Sequence, residues 1–295
     1  MLIAALEAGG DNMICSIGTL QGGVMQRAAI RTGEPDATLD EAAAFFGKFG
    51  VKALGVGAFG PLDLNPESAT YGYITNTPKK DWAYYPLMPE LKKRLNIPMA
   101  LDTAVNAAAL GESAAGAGRG LRSMLYVSVG AGVGGGFVVD GRPLHGLVHP
   151  EMGHMPVAPL QDDPMPEGVC PYHPHCLEGM ASGPAMEKRW GLSPQLMTQD
   201  HPAWALEAGY LAQLCANAIV MLSPERIVMG GSVMQNAQLF PLIRKKTLDL
   251  LGGYVCSGAM TPQGMEEYIA APALGLNACV TGALLLGARA AQAEA

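Results

Sequence analysis

The sequence predicts an α/β protein built from two similar halves, and three observations lead there. Short apolar runs of strand length alternate with longer segments of helical periodicity along the chain. A strand–glycine–strand unit occurs near Gly9 and again near Gly130, so the element order repeats although residue identity between the blocks is slight. Spread over 295 residues are 38 glycines and 22 prolines with no G-x-y period, which indicates many tight turns and close backbone approaches.

The elements follow in order. Leu2–Leu6 reads as a strand, Gly9-Gly10 as a turn, Met13–Ile17 as a second strand, Thr19–Gly23 as a hairpin and Val24–Arg31 as a third strand. The segment from Asp36 through Phe49 is helical, with Thr38 as its N-cap. Val51–Ala58 is a buried strand, and Asp63 to Tyr85 a polar, aromatic loop of a length that is usually functional or disordered. Then come a helix at Met88–Leu95, a strand at Met99–Asp102 and a helix starting at Val105–Gly111. The second half opens with the strand Met124–Val129, the glycine run Gly130–Gly136 and a return strand at Phe137–Val139. A long helix at Leu206–Ser223 feeds the strand Arg226–Val228, and Leu274–Arg289 is the last helix. The domain division is therefore 1–112, with a last helix of about 274–290 packing back on it, and 113–273 as the second lobe.

Composition excludes several classes of function. Apolar residues make up 49% and charged residues 15%, which excludes intrinsic disorder. The charge is −7, from 19 basic and 26 acidic residues. The longest basic runs are the triplets Lys92–Arg94 and Arg244–Lys246, so no nucleic-acid footprint is expected. Met1–Glu7 lacks a signal-peptide pattern. The uncharged stretch Tyr268–Ala288 has the length of a membrane span, but Pro272, Gly275, Asn277, Thr281 and Gly282 interrupt it, so it reads as a buried loop and helix. The expected setting is cytoplasmic, with no membrane partner. Of the six cysteines, four sit alone among apolar residues, whereas Cys170 and Cys176 sit among histidines. A disulfide scaffold is not expected.

Three stretches together carry a signature: Glu7-Ala-Gly-Gly10; Gly55-Val-Gly-Ala-Phe-Gly-Pro-Leu-Asp63; and His149-Pro-Glu-Met-Gly-His154 followed by Cys170-Pro-Tyr-His-Pro-His-Cys-Leu-Glu178. Tyr71–Pro78 and Pro224–Gly231 add to it. The chain resembles the fructokinase-like subgroup of the ROK family (repressor, open reading frame, kinase) from about Leu2 to about Gly287. The resemblance implies two actin-like, ribonuclease-H-like α/β lobes with a cleft between them and a zinc-binding loop. It also implies a small-molecule sugar as partner and a homodimer. No helix-turn-helix precedes Met1–Ile3, so a DNA-binding repressor is not expected.

Five of the six histidines lie between His145 and His175. His154, Cys170, His173 and Cys176 offer two nitrogens and two sulfurs, which suits a closed, tetrahedral, structural zinc, with His175 as a competing ligand. Similar ROK proteins hold zinc at matching positions. Glu151 and Glu178 match the family's ligands to sugar hydroxyls, which carboxylates bind by paired hydrogen bonds. His154, Asn106, Thr103 and Asp11 complete the expected substrate-binding set. Gly9, Gly10, Gly130, Gly132, Gly230 and Gly231 are the cofactor-binding glycines if a nucleotide binds, with Mg-ATP as the cofactor in that case.

Three departures fall on the phosphoryl-transfer side. The family's first phosphate loop, Gly-Gly-Thr-Lys, is here Gly9-Gly10-Asp11-Asn12, and its Gly-Thr-Gly is Gly130-Ala131-Gly132. The family's catalytic aspartate lies in Asp-Thr-Asp-Val-Asn, whereas this chain reads Asp102-Thr103-Ala104-Val105-Asn106. Ala104 thus stands where the resemblance places the general base. Survival of the sugar side with loss of the phosphate side suggests ATP-independent sugar chemistry. The expected activity is glycoside hydrolysis, with Asp102, Glu151 and Glu178 as catalytic carboxylates. The alternatives are an ATP-dependent fructokinase with a displaced base and a non-catalytic sugar-binding protein.

Overall fold

The structure is a computed structural model that describes residues 1–21 and 23–293. Gly22, within the expected hairpin, lies outside the described residues. The chain forms two compact units, one of residues 1–116, 141–150 and the segment from Leu276 on, the other of residues 117–140 and 151–275.

The first unit is organised on a five-stranded sheet of β1 (Ile3–Ala8), β2 (Asn12–Thr19), β3 (Gly23–Arg31), β4 (Leu54–Ala58) and β5 (Met99–Thr103), in the order β3-β2-β1-β4-β5. β1 runs antiparallel to β2 and parallel to β4, and β4 runs parallel to β5. Alternation along β1 places Ala4, Leu6 and Ala8 in one apolar core and Ile3 and Ala5 in another, so both faces are covered. The first core also takes Leu39 and Phe46 of α1 (Pro35–Phe46) and Leu87, Met88 and Leu91 of α2 (Leu87–Leu95).

On the other face lie α3 (Ala104–Ala115) and the last helix, α9 (Ala278–Ala293). They approach so closely that a Cβ at Gly282 would overlap the Ala107 carbonyl, and one at Gly111 the Ala278 carbonyl. Only glycine permits that contact.

The second unit contains β6 (Ser123–Val129), β7 (Val133–Val139), β9 (Ile227–Gly230) and β10 (Ile269–Ala270), in the order β10-β9-β6-β7. The two-residue β8 (Arg142–Pro143) follows β7 in the chain. β6 is antiparallel to β7 and parallel to β9, and β10 is parallel to β9, the same pairing pattern as β1 with β2, β4 and β5. Its helices are α4 (Leu177–Ala181), α5 (Gly183–Trp190), α6 (Ala203–Leu222), α7 (Leu239–Leu251) and α8 (Gly264–Tyr268). Leu125, Val127 and Val129 of β6 share a core with Tyr210 and Leu211 of α6 and Ile243 of α7.

Two local expectations need correction. Thr38 is not the N-cap of α1. Glu34 is, its carboxylate accepting from the Asp36 and Ala37 amides, because Pro35 at the first helical position starts the helix earlier. Thr38 sits inside the first turn, and its hydroxyl donates back to the Glu34 carbonyl at 2.7 Å. The uncharged stretch from Tyr268 is the end of α8, β10, a turn and α9, as the interruptions implied. Among the described residues, one helix passes the length and composition test for a membrane span. That helix is α6, and 56% of the relevant window is buried inside the protein.

Candidate functional site

The four expected metal ligands come together. His154 ends a short helical turn, Met152–His154, and Cys176 caps α4, its sulfur accepting from the Gly179 amide at 3.4 Å. Between them, the strand-like pairing of Pro156 with Cys176 folds the loop back on itself. The ligand atoms of His154, Cys170, His173 and Cys176 all lie within 4.8 Å of one another. Nδ1 of His154 is 3.8 Å from the Cys170 sulfur and 3.7 Å from that of Cys176, and Nδ1 of His173 is 3.7 Å from Cys170. Metal–ligand bonds of about 2.0–2.3 Å give tetrahedral edges of roughly 3.3–3.8 Å, so these residues fit a four-coordinate N₂S₂ ion. Burial, and then the neighbouring Cys170 sulfur, push the Cys176 thiol above its ordinary range, a cost that a bound cation removes. His175 is not part of the cluster: its Nδ1 lies 2.6 Å from the Pro166 carbonyl, and the residue adopts φ +57°.

Glu178 leaves the cluster one residue after Cys176–Leu177 and joins it to the glycine loop. Its Oε2 accepts from the Val133 amide at 2.9 Å, and its Oε1 is 3.8 Å from Nε2 of His154. The same carboxylate fills the space beside Gly132, where a Cβ would fall 2.6 Å from Oε2. Glu151 is exposed as a residue, but the protein around its carboxyl, and then the charge of Glu178, push it up to about 7.

The glycines of the second unit also assemble. The Gly130 amide donates to the Gly132 carbonyl at 2.8 Å, and the Gly183 amide at the start of α5 donates to the Gly130 carbonyl at 2.7 Å. Gly231 has φ +96° and sits against the Val129 backbone, so no side chain fits there. In the first unit, Gly9 closes the β1–β2 turn, its amide donating to Asn12 O at 3.1 Å, and Thr32 Oγ1 donates to Gly9 O at 2.8 Å. Asp11 and Asn12 point outward from this turn and are exposed. Over Gly10 lies a residue that the sequence did not single out: a Cβ at Gly10 would meet Lys79 Cε at 2.9 Å and its Nζ at 3.7 Å.

Asp102, Thr103 and Asn106 form one buried set at the junction of β5 and α3. Asp102 Oδ1 accepts from the Thr103 amide at 2.8 Å and from Asn106 Nδ2 at 2.7 Å, while Thr103 Oγ1 caps α3 by accepting from the Asn106 amide at 3.1 Å. His145, missed by the sequence reading, completes the set: its Nε2 lies 3.1 Å from Oδ1 and 3.1 Å from Oδ2. Asp102 is therefore enclosed and held through Oδ1 by two donors, which suits it to orient the His145 ring. Nearby, buried His149 accepts from the Leu62 amide at 3.0 Å, and burial lowers its pKa. It is thereby kept as a neutral clamp on the Gly60–Leu62 turn.

The family model described as "ROK family" matches residues 3–289. A relative in Bacillus subtilis (strain 168) is 41% identical over 294 residues, 100% of this chain and 98% of its own. The fructokinase of Pediococcus pentosaceus is 39% identical over 286 residues, 97% of each chain. Among solved structures, the ROK hexokinase of Thermus thermophilus superimposes with a TM-score of 0.79 at 25% identity, covering 99% of this chain and 100% of that one.

These matches overturn the expectation of glycoside hydrolysis, and with it Asp102, Glu151 and Glu178 as a hydrolytic acid–base set. The near-full-length relatives are named sugar kinases, not hydrolases. The inference from missing residues considered only groups near in sequence, whereas Lys79 lies beside Gly10 and His145 beside Asp102 and Asn106 from distant parts of the chain. With its two sheets of matching topology and its full-length match, this chain belongs to the ROK family.

Proposed function

We propose that this chain is an ATP-dependent kinase of fructose or a closely related hexose. The observation that carries the reading is the near-full-length identity to a fructokinase. Glu151 and Glu178 hold sugar hydroxyls, and their position beside the N₂S₂ cluster supports this. The cluster holds zinc in a structural role: with Nδ1 of His154 on the metal, its Nε2–H faces Glu178 and stiffens the loop that carries it. Magnesium-bound ATP is the co-substrate.

The turns at Gly9–Gly10, Gly130–Gly132 and Gly230–Gly231 let phosphates approach the backbone because their glycines carry no side chains, the Gly9 and Gly130 amides themselves donating within their turns. Asp11 opposes phosphate at the first turn, and the ammonium of Lys79, which lies beside Gly10, offsets it. Thr103 and Asn106 position Asp102. A cytoplasmic homodimer belongs to the same reading on family resemblance alone.

The test is ADP release from Mg-ATP with fructose, glucose and mannose. Turnover in the ordinary enzymatic range, roughly 1–10³ s⁻¹ with fructose favoured, supports the reading. Ala104 favours a second reading, a sugar-binding protein without turnover; saturable sugar binding with no ADP release from any hexose selects it.

A further inference from the structure

Ala104 removes the carboxylate that resemblance would make the general base, and the first turn of α3, which Ala104 opens, has another candidate standing over it. Nε2 of His145 is 3.1 Å from both oxygens of Asp102 and 3.4 Å from Nδ2 of Asn106 in the third helical position. Asp102 is buried, its side chain 5% exposed, while the His145 side chain is 40% exposed. One edge of the imidazole is thus anchored on a fixed carboxylate, and the ring opens to solvent.

The anchoring decides the tautomer. An ionised carboxylate only accepts, so Nε2 carries the hydrogen and Nδ1 carries the lone pair. Asp102 is itself held by the Thr103 amide and Asn106 Nδ2, so the ring has a fixed support. This is the arrangement of a histidine base with its orienting carboxylate, which recurs on unrelated folds.

Resting on the kinase reading, we propose that His145, oriented by Asp102, is the general base of this chain in place of the side chain absent at Ala104. The sugar hydroxyl oxygen attacks the γ-phosphorus of ATP, and its proton passes to Nδ1 of His145. The bond from the γ-phosphorus to the β,γ-bridging oxygen breaks, and its electron pair leaves on ADP. The imidazolium, paired with Asp102, then returns its proton to water.

The electrostatics agree. The hydrogen bond to Asp102 raises the His145 pKa above its ordinary value. The other titratable groups around the pair are His149, lowered by burial, and Tyr71, raised by burial and then by the Asp102 charge. The first turn of α3 brings no acidic side chain, and Arg142 on β8 is exposed.

The experiment compares the wild type with His145→Gln and Asp102→Asn in the ADP-release assay across pH 5–9. Glutamine keeps an N–H to donate to Asp102 but cannot take a proton. The expected result is kcat lower by about 10²–10⁴-fold in His145→Gln, with little change in either KM and loss of the acidic limb of the profile. In Asp102→Asn the limb should move to lower pH, since the carboxylate that raises the His145 pKa is gone. His145→Gln retaining wild-type kcat and the acidic limb, or changing only KM for sugar, overturns the proposal while leaving the kinase reading intact. A wild type inactive with every hexose overturns both.

Discussion

The carboxylate of Glu178 bridges two chemically distinct loops: one oxygen accepts from the Val133 amide at 2.9 Å, and the other stands 3.8 Å from Nε2 of His154. Through it the loop of the His/Cys cluster and the Gly130–Gly132 turn are mechanically joined, so a change in the cluster should be read out in sugar affinity as well as in stability.

Protein purified without chelator should therefore contain one zinc per chain. Cys176→Ser should lose it, lower Tm by more than roughly 5 °C, and raise the sugar KM. Elemental analysis with thermal melts checks this; a Cys176→Ser protein that keeps both zinc and its melting temperature rejects the ligand set.

Lys79 is expected to act on the nucleotide and not on the sugar. Lys79→Ala should raise the KM for ATP roughly tenfold, on the scale of one partly solvated ion pair with phosphate, and leave the sugar KM near its original value. The effect should shrink at high salt. Equal changes in both constants would mean that the ammonium over Gly10 only supports the loop.

Ala104→Asp tests whether the position is still needed. If His145 already takes the proton, the restored carboxylate should change kcat by less than about threefold in the wild-type background, a small step beside the 10²–10⁴ typical of a positioned base. A hundredfold gain would show that the base was missing.

Stability should depend on pH through Glu207, which lies fully inside the core on α6. Burial raises its pKa well above the ordinary 4.5, with Arg189 opposing more weakly. The unfolded chain releases this proton near pH 4.5, so the stability is fully present below that pH and declines as pH rises toward the folded value, by up to about 1.4 kcal/mol per unit. Denaturant melts from pH 4.5 to 8 should show Glu207→Gln gaining on the wild type as pH rises. Parallel curves for the two proteins would place the titration elsewhere.

Period and spacing carried much of the architecture. The short apolar runs Leu2–Leu6 and Met13–Ile17, the glycine turn between them and the same unit at Met124–Val139 are local patterns, and local patterns survive in sequence. The His/Cys cluster was legible for a similar reason, since Cys-x-x-His-x-x-Cys sets three of its four members within seven residues. No sequence element was assigned to α5 or α7. Pro184 and Pro241 sit in the first turns of these helices, where proline is tolerated.

By itself, then, the sequence determined the class of fold, the duplicated strand–glycine–strand halves, the four residues that gather in the His/Cys cluster and the family. Tertiary structure alone decided that His145, 43 residues from Asp102 in sequence, shares a hydrogen bond with it, and that Lys79 lies over Gly10. It also removed His175 from the cluster by turning its ring to the Pro166 carbonyl. The physical reason is one of range. Hydrophobic period and ligand spacing act within a few residues of one another, whereas a side chain that takes over the task of an absent one need only be near it in space, and chain separation carries no record of that.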